Sequence, residues 1–180
     1  MKKIVIGLIA MALTALTACA SPKVEQYATE SPNLDLRQYF NGKLKAHGIF
    51  TDRQGVVVKR FVVDMTGTWQ GNEGVLDEQF TDLQTNGKDA KQQRIWRLKY
   101  LGDGRYTGVA DDVQGEAVGQ SSGNAFNWKY TLALPVDGKV WDVQFDDWMY
   151  LMDDKIMLNK AAMSKWGVHL GDVTLVFTKE

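Results

Sequence analysis

The side chains that invite acid–base chemistry are three acidic pairs, Asp111-Asp112, Asp146-Asp147 and Asp153-Asp154. Adjacent side chains on a strand point to opposite faces, so both members of a strand pair cannot address one substrate. Asp153-Asp154 reads as a hairpin turn, and Asp112 as the end of a strand. Asp147 differs, because two-residue alternation groups it with Trp141, Val143 and Phe145 on a face expected to point inward. A buried carboxylate needs a partner, and Arg97 or Lys129 is the candidate cation. A structural ion pair is the first reading of Asp147, and a contact to a ligand head group or a catalytic role is the second. The chain has two histidines, His47 and His169, which cannot build a three-histidine metal site, and no ligand spacing supports a mixed one. His47 is out of phase with its apolar neighbours, and His169 is expected in a turn beside Gly171, so neither reads as catalytic. Ser164 lacks the Gly-x-Ser-x-Gly context of a nucleophile, there is no phosphate-binding glycine loop, and no cofactor is implied.

Aromatic residues outweigh these groups. Trp96, Trp128, Tyr130, Trp141, Phe145, Trp148, Tyr150 and Trp166 all fall on expected strands. They fit either a packed core or an apolar pocket with a few polar anchors. In the pocket reading Trp128, Tyr130, Phe145, Trp148 and Tyr150 line the site, and Asp147, Arg97 or Lys129 meets the polar head of a ligand.

From Lys43 onward the periodicity is close to two. Strands are expected near 43–51, 56–70, 74–81, 93–101, 105–111, 115–120, 125–135, 139–150, 156–166 and 172–178. Gly, Asn, Asp and Ser clusters separate most of them, as short hairpins require. A short helix is expected over 34–40, stopped by Asn41-Gly42, and a mobile polar loop over 84–91. Ten short-linked strands expose sheet edges unless the sheet closes, so the expected fold is all-β: a single antiparallel up-and-down barrel of eight to ten strands. A β-sandwich is the rival, but it usually uses longer Greek-key connections. A transmembrane barrel fits poorly, because Arg94, Arg97, Lys99, Lys129 and Asp142 interrupt any apolar outer face.

The first residues set the cellular context. Lys2-Lys3 precede an apolar run from Ile4 to Leu16, too short for a stable span and patterned as a secretory leader. Leu16-Thr17-Ala18-Cys19, at its end, resembles the lipobox of bacterial lipoproteins. That resemblance implies a signal peptide over 1–18 and an acylated Cys19 as the first mature residue. Residues 19–33 then form a lipidated, flexible tether and 34–180 the barrel. Two or more acyl chains anchor stably where one does not. Ala20 in place of an Asp implies sorting to the outer membrane, with the domain facing the periplasm. Loss of the leader leaves 19 basic and 22 acidic side chains, a balance that argues against nucleic acid as a partner. With its single cysteine acylated, the mature chain has no thiol for disulfides or catalysis.

Gly67-Thr68-Trp69 resembles the Gly-x-Trp signature of lipocalins, whose tryptophan closes one end of the barrel. Lipocalins carry it on the first strand, whereas here it ends the second; a plain core tryptophan is the other reading. A broader resemblance covers 34–177. Leu44-Lys45-Ala46-His47-Gly48-Ile49-Phe50, Val63-Asp64-Met65-Thr66-Gly67-Thr68-Trp69 and Asn124-Ala125-Phe126-Asn127-Trp128-Lys129-Tyr130 carry its first half. Asp146-Asp147-Trp148-Met149-Tyr150-Leu151 and Met163-Ser164-Lys165-Trp166-Gly167-Val168 complete it. Together they resemble the DUF3833 lipoproteins, a family that offers no catalytic residues to carry over. Its genes often lie near enzymes of membrane-lipid modification, which implies a lipid-related role.

Three readings follow, in order of preference. The first is a membrane-tethered barrel that binds a fatty acid or lipid. The second is a structural or protein-interaction lipoprotein with a filled core and an unknown partner. The third is an enzyme of membrane-lipid modification. A central cavity favours the first or third, and an enzyme should show a perturbed carboxylate inside it.

Overall fold

The computed structural model describes residues 21–84, 92–136 and 138–180. The leader with Cys19, and the expected 84–91 loop beyond Gln84, lie outside these residues. Ten antiparallel strands run in sequence order: β1 (Gly42–Asp52), β2 (Val57–Gln70), β3 (Glu73–Asp82), β4 (Gln92–Gly102), β5 (Arg105–Val109), β6 (Ala117–Ser122), β7 (Ala125–Val136), β8 (Lys139–Leu151), β9 (Ile156–Lys165) and β10 (Val168–Lys179). Each strand pairs with the next, and β1 pairs with β10 from Leu44↔Lys179 to Asp52↔Gly171, closing the barrel. The expected up-and-down barrel is therefore the fold, and it fits a lipocalin-like architecture. Closure satisfies the backbone edges that an open ten-stranded sheet would leave unpaired.

The hairpin chemistry is as the turn residues dictate. Asp153 Oδ1 accepts the backbone N–H groups of Lys155 (2.8 Å) and Ile156 (2.7 Å), and Asp52 Oδ1 accepts those of Gln54 and Val56. His169 is not in a turn. It lies on β10 beside a register shift, its Nε2 3.2 Å from Asp172.

The helix shrinks to one turn, α1 (Leu36–Tyr39), which plugs one end of the barrel. Asp35 caps it by accepting the Arg37 N–H at 2.9 Å, and the Tyr106 hydroxyl donates to the same carboxylate at 2.9 Å. The Tyr39 hydroxyl reaches the Lys155 and Phe177 carbonyls, and Phe40 meets the Phe177 ring edge-on. Leu36, Tyr39 and Phe40 are buried in one apolar cluster with Leu44, Met65, Trp96 and Phe126. Trp69 stands at this same end, edge-on to Tyr106 and against Gly74. It thus occupies the position that the lipocalin resemblance implies, though on the second strand. Gly67 leaves no room for a side chain, because a Cβ there would overlap the Phe40 carbonyl.

The segment 21–33, expected as a loose tether, instead lies against the barrel. A 3-10 turn at Val24–Tyr27 buries Val24, and Tyr27 packs on Trp148 and Tyr150 at ring separations of 6.0 and 5.4 Å. Leu34 N–H then donates to the Gly123 carbonyl at 2.8 Å. Its sparse apolar residues fall where the outer wall offers aromatic partners, which composition alone does not reveal.

Candidate functional site

At the end opposite α1, where β1, β3 and β7 finish and β2, β4 and β8 begin, no plug is present among the described residues. There the interior opens as a cavity of about 490 Å³, within the usual range for small-molecule sites. Phe50, Phe61, Phe80 and Leu134 form the wall towards the mouth, and Leu36, Phe40, Leu98 and Phe126 form the floor. Between them runs a belt of polar side chains contributed by inward positions of β3, β4, β7, β8 and β9.

On one side of the belt, Glu78 of β3 faces Arg94 of β4 in direct cross-strand register. The Arg94 guanidinium grips Asp112 through Nε (3.0–3.1 Å) and Nη2 (2.8 Å), and its Nη1 stands 3.8 Å from Glu78 Oε2. On the other side, the Tyr130 hydroxyl donates to Asp147 Oδ2 at 3.1 Å, and Asn159 Nδ2 donates to Asp147 Oδ1 and to the Trp148 carbonyl. Tyr130 stacks on Phe145 with ring centroids 5.0 Å apart and stands edge-on to Trp96.

Burial dominates the protonation of these groups. It pushes Glu78 up to about 7, with Arg94 pulling down and Asp112 and Asp147 adding to the rise. It pushes Asp147 up to about 6 against the stabilising bonds from Asn159 and Tyr130, and Asp146 adds to the rise. The Tyr130 phenol is raised well above its ordinary value by burial and the neighbouring Asp147 charge, so it is a donor at neutral pH. Two buried acceptors in the belt have no hydrogen-bond donor: Glu78 Oε2 and Asn159 Oδ1.

Of the residues expected to bind a ligand, Trp128, Tyr130, Phe145 and Asp147 come together on the cavity wall. Trp148 and Tyr150 do not, because the alternation that turns Asp147 inward turns them outward, where they stack on each other beneath Tyr27. Arg97 and Lys129 also face outward, between inward Trp96 and Leu98 and between inward Trp128 and Tyr130. Arg97 pairs with Asp111 (3.6 Å) and Lys129 with Asp146 (3.5 Å), so neither reaches Asp147. Its partners are Tyr130 and Asn159, and the cation in the belt is Arg94. Trp141, expected inward, sits near the mouth with the Lys165 ammonium 4.3 Å from its ring centroid.

Glu78, Arg94 and Asn159 were missed by reasoning from residue type. The signal was present in phase: Leu76-x-Glu78-x-Phe80, Arg94-x-Trp96-x-Leu98 and Met157-x-Asn159-x-Ala161 each place a polar residue in step with an inward apolar row. Among the described residues, no group of three His, Cys, Asp or Glu side chains could hold a metal ion.

No curated protein matches this chain. A family model, described as a protein of unknown function (DUF3833), matches residues 13–179. The match spans every strand of the barrel and the whole polar belt, and the chain belongs to the DUF3833 family.

Proposed function

We propose that the chain is a lipoprotein, held at the outer membrane by an acylated Cys19 with its barrel in the periplasm. In this reading its interior binds one hydrophobic molecule of fatty-acid or lipid type. The observation that carries it is the cavity: about 490 Å³ of largely apolar space, plugged at one end and, among the described residues, open at the other. A filled core would serve a purely structural protein better, since voids in a barrel cost packing energy. The carboxyls raised inside the cavity favour a second reading, an enzyme acting on a membrane lipid.

Native mass spectrometry with lipid extraction, on the chain purified from its own host, tests both. The binding reading expects one acyl-chain molecule per protein, lost in a Leu134→Trp variant that narrows the mouth without emptying the core. A protein that carries no lipid and takes none up from mixed phospholipids and fatty acids overturns it. A covalently altered lipid released during incubation favours the enzyme.

A further inference from the structure

The polar belt states what kind of head group the interior accepts. Two of its buried atoms are under-satisfied acceptors: Asn159 Oδ1 receives no hydrogen bond, and Glu78 Oε2 has the 3.8 Å ion-pair contact to Arg94 but no hydrogen bond. The orientation of the Asn159 amide is fixed by its own network, since its nitrogen serves the Asp147 carboxylate and the Trp148 carbonyl and the oxygen must point elsewhere. Among the described residues lining the cavity the cations are Lys59 and Arg94. Lys59 lies towards the mouth and pairs with Asp82 at 3.3 Å, and Arg94 is hydrogen-bonded to Asp112 and ion-paired with Glu78. Glu78 and Asp147 add two carboxyls facing the same space. An entering carboxylate would therefore meet lone pairs and acidic groups, with the belt's guanidinium already neutralised.

We infer that the cavity takes a molecule with an apolar chain and a hydrogen-bond-donating head, a hydroxyl or an amine, and rejects free carboxylate heads. The head sits in the belt between Glu78 and Asn159, and the chain lies along Phe61, Phe80 and Leu134 towards the mouth. This rests on the proposed lipid-binding reading and narrows it. A donor would supply the hydrogen bonds that Asn159 Oδ1 and Glu78 Oε2 lack, and leaving such buried acceptors without one is what makes a polar site reject the wrong analogue.

The test is calorimetric titration of the full chain with decanol, decylamine and decanoate, three molecules that share one chain and differ at the head. At about pH 8, decanoate is anionic and decylamine cationic. Decanol or decylamine should bind one per protein, at least about tenfold tighter than decanoate. The Glu78→Gln variant, which keeps the shape and removes the charge, should weaken decylamine about fivefold or more and leave decanol within about twofold. Decanol ahead of decylamine identifies a neutral donor as the natural head, and the reverse order a cation. Decanoate binding as tightly as both overturns the head-group inference and leaves the lipid cavity standing. Failure of all three to bind overturns the cavity reading as well.

Discussion

Glu78 and Arg94 face each other inside an apolar vessel, and the consequences for stability have a definite sign. The folded protein holds the Glu78 proton up to about 7, whereas an unfolded chain releases it in the ordinary glutamate range. Stability from this group is fully present below that ordinary range and is lost as pH rises through about 7. Asp147 acts in the same direction at lower pH, up to about 6. The wild-type barrel should therefore lose stability on the order of 1–3 kcal/mol between about pH 5 and pH 8, and Glu78→Gln should flatten much of that slope. Urea unfolding at the two pH values measures both, and a wild-type curve that rises with pH contradicts the assignment. Removing the cation instead, as in Arg94→Met, leaves buried acidic groups uncompensated and should cost about 3–5 kcal/mol. Residue type alone did not expose this arrangement. Asp147 was legible because its strand alternates cleanly, but its partners come from the adjacent strands β7 and β9, and no local pattern names a cross-strand neighbour.

Two elements show how closely the local backbone is specified. The plug depends on Gly67, whose missing side chain lets the Phe40 carbonyl lie against β2. Gly67→Ala should push α1 out of its seat and cost about 1–3 kcal/mol, seen as a lower urea midpoint. Faster amide exchange at Tyr39 and Phe40 should accompany it. The β9–β10 turn is specified less well. Trp166 and Gly167 both have positive φ, 52° and 78°, and the indole is 89% exposed. Asparagine adopts that backbone more readily than tryptophan, so Trp166→Asn should stabilise the fold by about 1 kcal/mol, measured in the same unfolding assay. The ten strands were readable because each hairpin is local: alternation gives the strand, and Gly, Asn or Asp gives the turn. The short helix was overextended because the run Asn33-Leu34-Asp35-Leu36 does not reveal that Asp35 begins the turn as its cap. The wall-hugging path of 21–33 was hidden for a similar reason, since Tyr27 finds its partners, Trp148 and Tyr150, more than a hundred residues away.

At the scale of the molecule, sequence reached the barrel through an argument about edges, not through any visible signal for the β1–β10 seam. That seam joins positions at opposite ends of the domain, Leu44 with Lys179, and pairing of this kind leaves no local trace. The size of the interior was out of reach for a related reason, because it depends on which of the large inward side chains fill the axis and which line it. The plug gives this architecture a directional character. With α1, Trp69 and the Phe40–Phe177 contact sealing one end, the barrel is a cul-de-sac. In the proposed reading, a molecule inside would leave by the end through which it came, with its polar end first in and last out. If the interior binds as proposed, such a vessel would load, hold and hand over a cargo rather than serve as a conduit along its axis.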